Sequence, residues 1–255
     1  MTLVDIHSHV LYGLDDGAKT LEDSIAMLQA AAAAGTTDLV ATPHASPRYK
    51  YEPDRIRERL REVEAANNTC VKLHTGCDFH LSYDNIEDAL SHPRKYTING
   101  SRYLLVEFSD LMIFPNTGEI FQRLQDAGMV SIITHPERNE LLQQRIAEIA
   151  KWVSAGAFVQ VTGQSLSGHF GKKAAAFSRS LLDAGLVHFI ASDGHDLKHR
   201  PPRMDEAREW LVRHYNEPLA DLLCNRNPRA ALTGDPVQAT LGRVDRRRKW
   251  YQFWR

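Results

Sequence analysis

The chain has 255 residues, of which 43% are hydrophobic and 25% charged. Those proportions exclude a disordered or fibrous protein, and the length suits one α/β unit that folds without disulfide or metal staples. The 31 basic residues against 32 acidic ones leave a net charge of −1, so no wholesale binding of nucleic acid is expected.

No apolar run approaches the ~20 residues of a membrane span. The opening Met-Thr-Leu-Val-Asp-Ile-His lacks the basic and apolar regions of a secretory signal. Cys70, Cys77 and Cys224 show no zinc-knuckle spacing and are expected to be reduced thiols of a cytoplasmic protein. They do not form a Cys-x5-Arg phosphatase loop either, because Gly76, Tyr83 and Ala230 stand six residues further on.

In chain order, short β-branched runs alternate with amphipathic stretches. Leu3–His7 is an expected strand, followed by a helix over Leu21–Ala34 that opens with Thr20 and Asp23 as a capping box. Next come strand Thr37–His44, helix Pro53–Ala66, and strands Val71–Phe79 and Tyr103–Phe108. Helix Thr117–Ala127 follows, with Asn116 and Glu119 as a second capping signal. The pattern continues with strand Val130–His135, helix Glu140–Ala155, strand Phe158–Thr162, helix Lys172–Ala184 and strand Val187–Ser192. Four of the helices end in Ala-Gly, at Gly35, Gly128, Gly156 and Gly185, which suits a left-handed cap.

Seven strands joined by helices imply a parallel sheet, closed as a distorted (β/α)7 barrel or, alternatively, open and doubly wound. No Pro-, Gly- or Ser-rich linker divides the chain. Residues 1–225 are assigned to the barrel and 226–255 to a C-terminal extension. That extension ends in a basic, aromatic tail comprising Arg243, Arg246–Lys249, Trp250, Tyr251, Phe253 and Trp254.

The chemistry lies in what terminates the strands. The first ends in Asp5-Ile6-His7-Ser8-His9, the second in His44, the third near Asp78, the fourth at Glu107 and the fifth at His135. The seventh ends in Asp193-Gly194-His195. In a parallel αβ architecture these ends converge on one face. Side chains two apart on an extended segment point the same way, so His7 and His9 pair, as do Asp193 and His195. Asp16, on the loop after the first strand, adds a carboxylate. Imidazoles and carboxylates without thiolate describe a borderline-to-hard metal site. Nine candidates exceed the roughly four ligands one ion takes, which points to two or three ions.

Arg138 follows His135 in His-Pro-Glu-Arg, and Arg200 follows Asp193 by seven residues. A guanidinium clamps phosphate oxygens bidentately, so both are candidate phosphoryl-binding groups, with Arg48 and Arg203 at the rim. His74, His80, His92, His169, His188, His199 and His214 lie off the pattern and are read as structural.

The motifs Asp5-Ile-His-Ser-His9, Asp15-Asp-Gly17, Thr42-Pro-His44, His135-Pro-Glu-Arg138 and Ala191-Ser-Asp-Gly-His195 together resemble the polymerase and histidinol phosphatase (PHP) superfamily. Within it, they resemble the manganese-dependent protein-tyrosine phosphatases of bacterial capsule and exopolysaccharide clusters. The resemblance spans about residues 1–205. It implies a distorted (β/α)7 barrel with three divalent ions at the strand C-termini, manganese foremost, with zinc, iron, cobalt or magnesium as substitutes. By motif position, His7, His9, Glu107 and Asp193 would hold one ion. Glu107 would bridge to a second, held also by Asp78 and His135, and Asp16, His44 and His195 would hold the third. Arg138 and Arg200 fall at the family's phosphate-binding positions. Where the family has Gly-x-Glu, this chain has Gly76-Cys77-Asp78, one methylene shorter.

The resemblance implies hydrolysis of phosphotyrosine, with an autophosphorylating bacterial tyrosine kinase as partner. The basic tail is expected to pack on the barrel or on a neighbouring subunit, with contact at the inner membrane face as the alternative. The alternatives are a histidinol-phosphatase-like or phosphodiesterase activity on the same site and, of a different class, a metal-binding regulatory protein without catalysis.

Overall fold

A computed structural model describes residues 2–239, and among these residues nine parallel strands form two ladders. One ladder runs β1 (Leu3–Ser8), β2 (Thr36–Ala41), β4 (Lys72–Thr75). The other runs β3 (His44–Ala45), β5 (Asp78–His80), β6 (Tyr103–Glu107), β7 (Val130–Thr134), β8 (Phe158–Thr162), β9 (Phe189–Ala191). Ser8 bridges to Gly194 in parallel, with His9 N donating to Gly194 O at 2.8 Å and Asp193 N to His7 O at 2.9 Å. These bonds join the end of β9 to β1 and close the ring. The distorted (β/α)7 barrel is therefore the observed fold, and the open doubly wound sheet is set aside.

The nine strands are the seven expected ones with two of them broken. β2 and β3 are halves of one run, as are β4 and β5. Pro43 has no N–H to donate where the first run breaks. Gly76 marks the second break, where a Cβ would stand 3.0 Å from Val40 Cγ1. Thr42 N to Ser8 O (2.8 Å), Gly76 N to Ala41 O (2.9 Å) and Asp78 N to Pro43 O (3.3 Å) carry the pairing across the kinks.

Alternation along the strands sorts the core. Val4, Ile6, Val40, Leu105, Ile132, Phe189 and Ala191 pack in one cluster inside the barrel. Leu39 and Ala41 pack outward with residues of helices α1 (Leu21–Ala33) and α2 (Pro53–Ala66). The strand N-termini are covered by α10 (Asn227–Thr233), whose Ala231 and Leu232 join the interior cluster. Asn227 Nδ2 donates to His188 O at 3.0 Å there.

The remaining helices are α3 (Tyr83–Ser91), α4 (Thr117–Asp126), α5 (Ile146–Ser154), α6 (Gly163–Ser167), α7 (Gly171–Asp183), α8 (Asp205–His214) and α9 (Glu217–Asp221). Thr20 and Asp23 form the expected capping box, with bonds of 3.2 and 3.0 Å. Asn116 caps nothing: its backbone is not extended (φ −97°, ψ 25°), and Thr117 Oγ1 turns back to Phe114 O instead. The helix expected from Glu140 starts only at Ile146, because Asn139 Oδ1 accepts from Leu141 N and Leu142 N and holds a turn there. The tail after Arg243 lies outside the described residues.

Candidate metal centre

All nine ligand candidates meet at the C-terminal mouth of the barrel. His7 and His9 leave β1 on the same side, their Nε2 atoms 3.3 Å apart. The other nitrogen of each ring is held from behind. His7 Nδ1 lies 3.0 Å from Gln160 Oε1, and His9 Nδ1 lies 2.7 Å from Asp15 Oδ2. An oxygen at Nδ1 places the ring proton there and leaves the Nε2 lone pair for the cluster.

Four groups of side chains bring one N or O atom apiece within 4.8 Å of one another: His9–Asp16–His44–His195, His7–Asp78–His135, His7–His9–Asp193 and His44–Asp78–Glu107. Asp78, with the short arm, lies inside the cluster. Its Oδ2 stands 3.5 Å from His7 Nε2, 3.3 Å from His44 Nδ1 and 3.9 Å from His135 Nε2. The grouping differs from the set inferred by motif position in more than one respect. Glu107 sits with His44 and Asp78 rather than with His7 and His9, His7 also joins Asp78 and His135, and His9 also joins Asp16, His44 and His195.

Backbone strain concentrates here. Among the described residues the non-glycine positions with positive φ are Asn99, His135 (φ 33°) and Asp193 (φ 51°), so two of the three are ligand candidates. Left-handed geometry costs a non-glycine residue free energy and persists where surrounding structure enforces it. At Gly17, a Cβ would lie 2.1 Å from His9 O, so only glycine lets the Asp15–Asp16 loop fold back onto His9.

The charges are strongly coupled. Burial works against ionised Asp78 and Asp193, yet His7 beside both, with Arg138 beside Asp193, holds them well below the usual carboxylate range. Burial and neighbouring Asp78 raise Glu107, but the nearby imidazoles of His44, His80 and His135 bring it down to about 2. Burial likewise lowers His7, and the carboxylates of Asp78 and Asp193 outweigh it, pushing the imidazole up to about 9. His195 goes the other way, to about 4, through burial and the charge on His9.

Among the described residues, buried Asp78 Oδ2, His44 Nδ1 and His195 Nε2 make no hydrogen bond and face other ligand candidates. Leaving such atoms dry and without a hydrogen bond is costly, and coordination to divalent ions would satisfy all three. Cys77 faces the hydrophobic core instead, so no thiolate joins the donor set. The residues present fit borderline-to-hard cations.

Arg138 and Arg200 both reach this cluster. Arg138 Nη1 donates to Asp193 Oδ2, and its guanidinium lies 4.5 Å over the Phe170 ring. Arg200 stands 3.3 Å from Asp193 Oδ2 and 3.6 Å from Asp16 Oδ2. Arg48 is exposed and lies over the ring of Tyr49, which stacks on His44. Arg203 pairs with Asp205 and Glu206 at the start of α8.

Sequence reasoning passed over four residues here. Asp15 and Gln160 orient ligands. His80, read as structural, lies 3.8 Å from Glu107 Oε2. Glu137, fully buried, accepts from Thr162 N at 2.9 Å and Ser165 Oγ at 2.7 Å, pinning the loop that carries Arg138. A glutamine in the middle of the apolar run Phe-Val-Gln-Val-Thr was the available signal for Gln160. Asp15 was indistinguishable from Asp16 without geometry.

Comparison with known proteins agrees with this geometry. Residues 3–233 match the family model described as capsular polysaccharide synthesis, CpsB/CapC. The tyrosine-protein phosphatase YwqE of Bacillus subtilis is 33% identical over 259 residues, covering 99% of this chain and all of that protein. The tyrosine-protein phosphatase CpsB of Streptococcus pneumoniae is 29% identical over 238 residues, covering 89% of this chain and 97% of its own. A chain from the crystal structures of YwqE from Bacillus subtilis and CpsB from Streptococcus pneumoniae, unique metal-dependent tyrosine phosphatases, superposes with a TM-score of 0.87 at 31% identity, covering 97% of this chain and 100% of that one. With the family model spanning nearly the whole barrel and the strand-end cluster in place, this chain belongs to the CpsB/CapC family.

Proposed function

We propose that this chain is a metal-dependent protein-tyrosine phosphatase, with manganese as the preferred ion and a bacterial tyrosine autokinase as its phosphorylated partner. The observation that carries this reading is the convergence of nine ligand candidates with Arg138 and Arg200 on one barrel mouth. The activity of the relatives YwqE and CpsB supports phosphotyrosine as the substrate.

His7, His9, Asp16, His44, Asp78, Glu107, His135, Asp193 and His195 would hold up to three divalent ions. When bound, such ions supply Lewis acidity toward phosphoryl oxygens and make water nucleophilic near neutral pH. Gln160 and Asp15 keep His7 and His9 in the ligating orientation. Arg138 and Arg200 bind the phosphoryl group: both guanidiniums lie against Asp193 Oδ2, so an anion arriving beside that carboxylate meets two fixed cations. Their charge counts most when the equatorial oxygens are most negative, in the transition state. Phe170 under the Arg138 guanidinium limits its orientations. A tyrosyl leaving group, with a phenol pKa of ~10, departs more easily than an alkoxide and needs less proton assistance.

The test compares four substrates under one set of conditions: a phosphotyrosine peptide, a phosphoserine peptide, histidinol phosphate and single-stranded DNA. The phosphotyrosine peptide should lead in kcat/KM by about tenfold or more. A lead for histidinol phosphate or DNA would overturn the substrate assignment, and no turnover of any of them would favour a regulatory protein.

A further inference from the structure

A cavity of about 330 Å³ opens beside Arg138, between the loop after β7 and the α6–α7 segment after β8. Its lining includes Arg138, Gln143, Phe170, Lys172 and Lys173, with Glu140 as a single carboxylate. Ligand candidates for the metals are absent from it, and neither metal nor phosphoryl binding uses the two lysines. Both lysines are exposed on the first turn of α7, which contains no acidic residue. Among the described residues neither forms an ion pair. Their backbone position is fixed, because Ala174 and Ala175 directly behind them are buried. A larger cavity, about 450 Å³ beside His195, sets Lys19 and Lys198 against Asp16, Asp23 and Asp196. Its charges lean acidic, whereas those beside Arg138 lean basic.

We propose that the groove of Arg138, Lys172 and Lys173 is a subsite for an acidic side chain, aspartate or glutamate, that flanks the phosphotyrosine in the protein substrate. This rests on the phosphatase reading above and adds to it a sequence preference. Arg138 supplies the reach: the same side chain that borders the groove ends on Asp193 in the cluster. The two places are thus about one arginine side chain apart. An extended peptide advances ~3.3 Å per residue, so the groove receives a residue one or two positions from the phosphotyrosine. Lys172 and Lys173 set the preference, and Glu140 limits it by repelling an acid placed too close. Exposed ammonium groups attract modestly and are screened by salt, so the selectivity is a few-fold and fades as ionic strength rises.

The experiment uses the full, manganese-loaded chain and phosphotyrosine peptides that differ only in carrying Glu, Ala or Lys at the positions one and two residues either side. Wild type should favour the Glu peptide over the Lys peptide by about fivefold in kcat/KM at low salt, mainly through KM. Lys172→Glu with Lys173→Glu should abolish or invert that order while leaving turnover of p-nitrophenyl phosphate unchanged. Lys172→Gln with Lys173→Gln, which only neutralises the groove, should flatten it and serves if the charge reversal fails to fold. Near-equal use of the three peptides by wild type, or an intact preference in the variants, would overturn the subsite while leaving the phosphatase reading standing. Turnover of p-nitrophenyl phosphate without turnover of any phosphotyrosine peptide would remove both.

Discussion

Arg138 leaves the loop behind His135 and ends on Asp193 at the mouth of β9, two strands along the ladder, so it reaches the centre without occupying a ligand position. Truncating it to alanine removes one preorganised cation. By analogy with the loss of one oxyanion donor, turnover should fall ~10²–10³-fold, or about 3–4 kcal/mol, with metal content unchanged. His135→Ala should lose metal and activity together, and metal analysis beside steady-state kinetics separates the two cases. Arg138→Ala with turnover within a few-fold of wild type would remove the arginine from catalysis. Asp15 offers a second residue-level test. It touches no proposed substrate atom, but it fixes His9, so Asp15→Ala should weaken metal affinity about 10–100-fold, as read by manganese titration. Ligand residues were legible in the sequence because they end strands, and a strand end points at one face whatever the details. Asp15, Gln160 and Glu137 were not, since each acts through a single hydrogen-bonding atom whose partner lies on another strand or loop.

At the scale of elements, two tight joints position the ligands. The first is the Asp15–Gly17 turn, folded against His9. Gly17→Ala forces its Cβ into the His9 carbonyl, and backbone cannot swing away as a side-chain tip does. The expected result is a loss of at least about 2 kcal/mol in urea unfolding together with weakened metal binding. Stability within about 0.5 kcal/mol of wild type would mean the turn relaxes freely. The second joint is the β1–β9 seam, where buried Asp5 accepts from Ser192 N, Ser192 Oγ and His7 N. The strand pattern was readable because β-branched runs and Ala-Gly stops recur. The breaks at Pro43 and Gly76 were less so, because the apolar run continues through each of them. Helices α3, α8 and α9 were not among the expected elements.

For the molecule as a whole, closing the ring gathers the chemistry at one end and leaves the other for stability. His188 belongs to that second end, buried near α10, with its Nδ1 accepting from Val159 N at 3.3 Å. Burial holds its pKa down to about 4 against an ordinary 6.5. The unfolded chain therefore binds a proton that the folded chain refuses between those values. Stability contributed by neutral His188 is complete above about pH 6.5 and is lost as pH falls toward 4. His188→Gln should unfold with a shallower loss of stability between pH 7 and 5, and an unchanged slope would show that His188 is not held neutral. The activity rests on the opposite end. Its most direct test is a manganese titration of chelator-treated enzyme, following bound metal per chain and phosphotyrosine-peptide turnover in the same samples. The account predicts no turnover in the stripped chain and a rise that tracks metal occupancy to saturation, whereas full turnover by metal-free enzyme would contradict it.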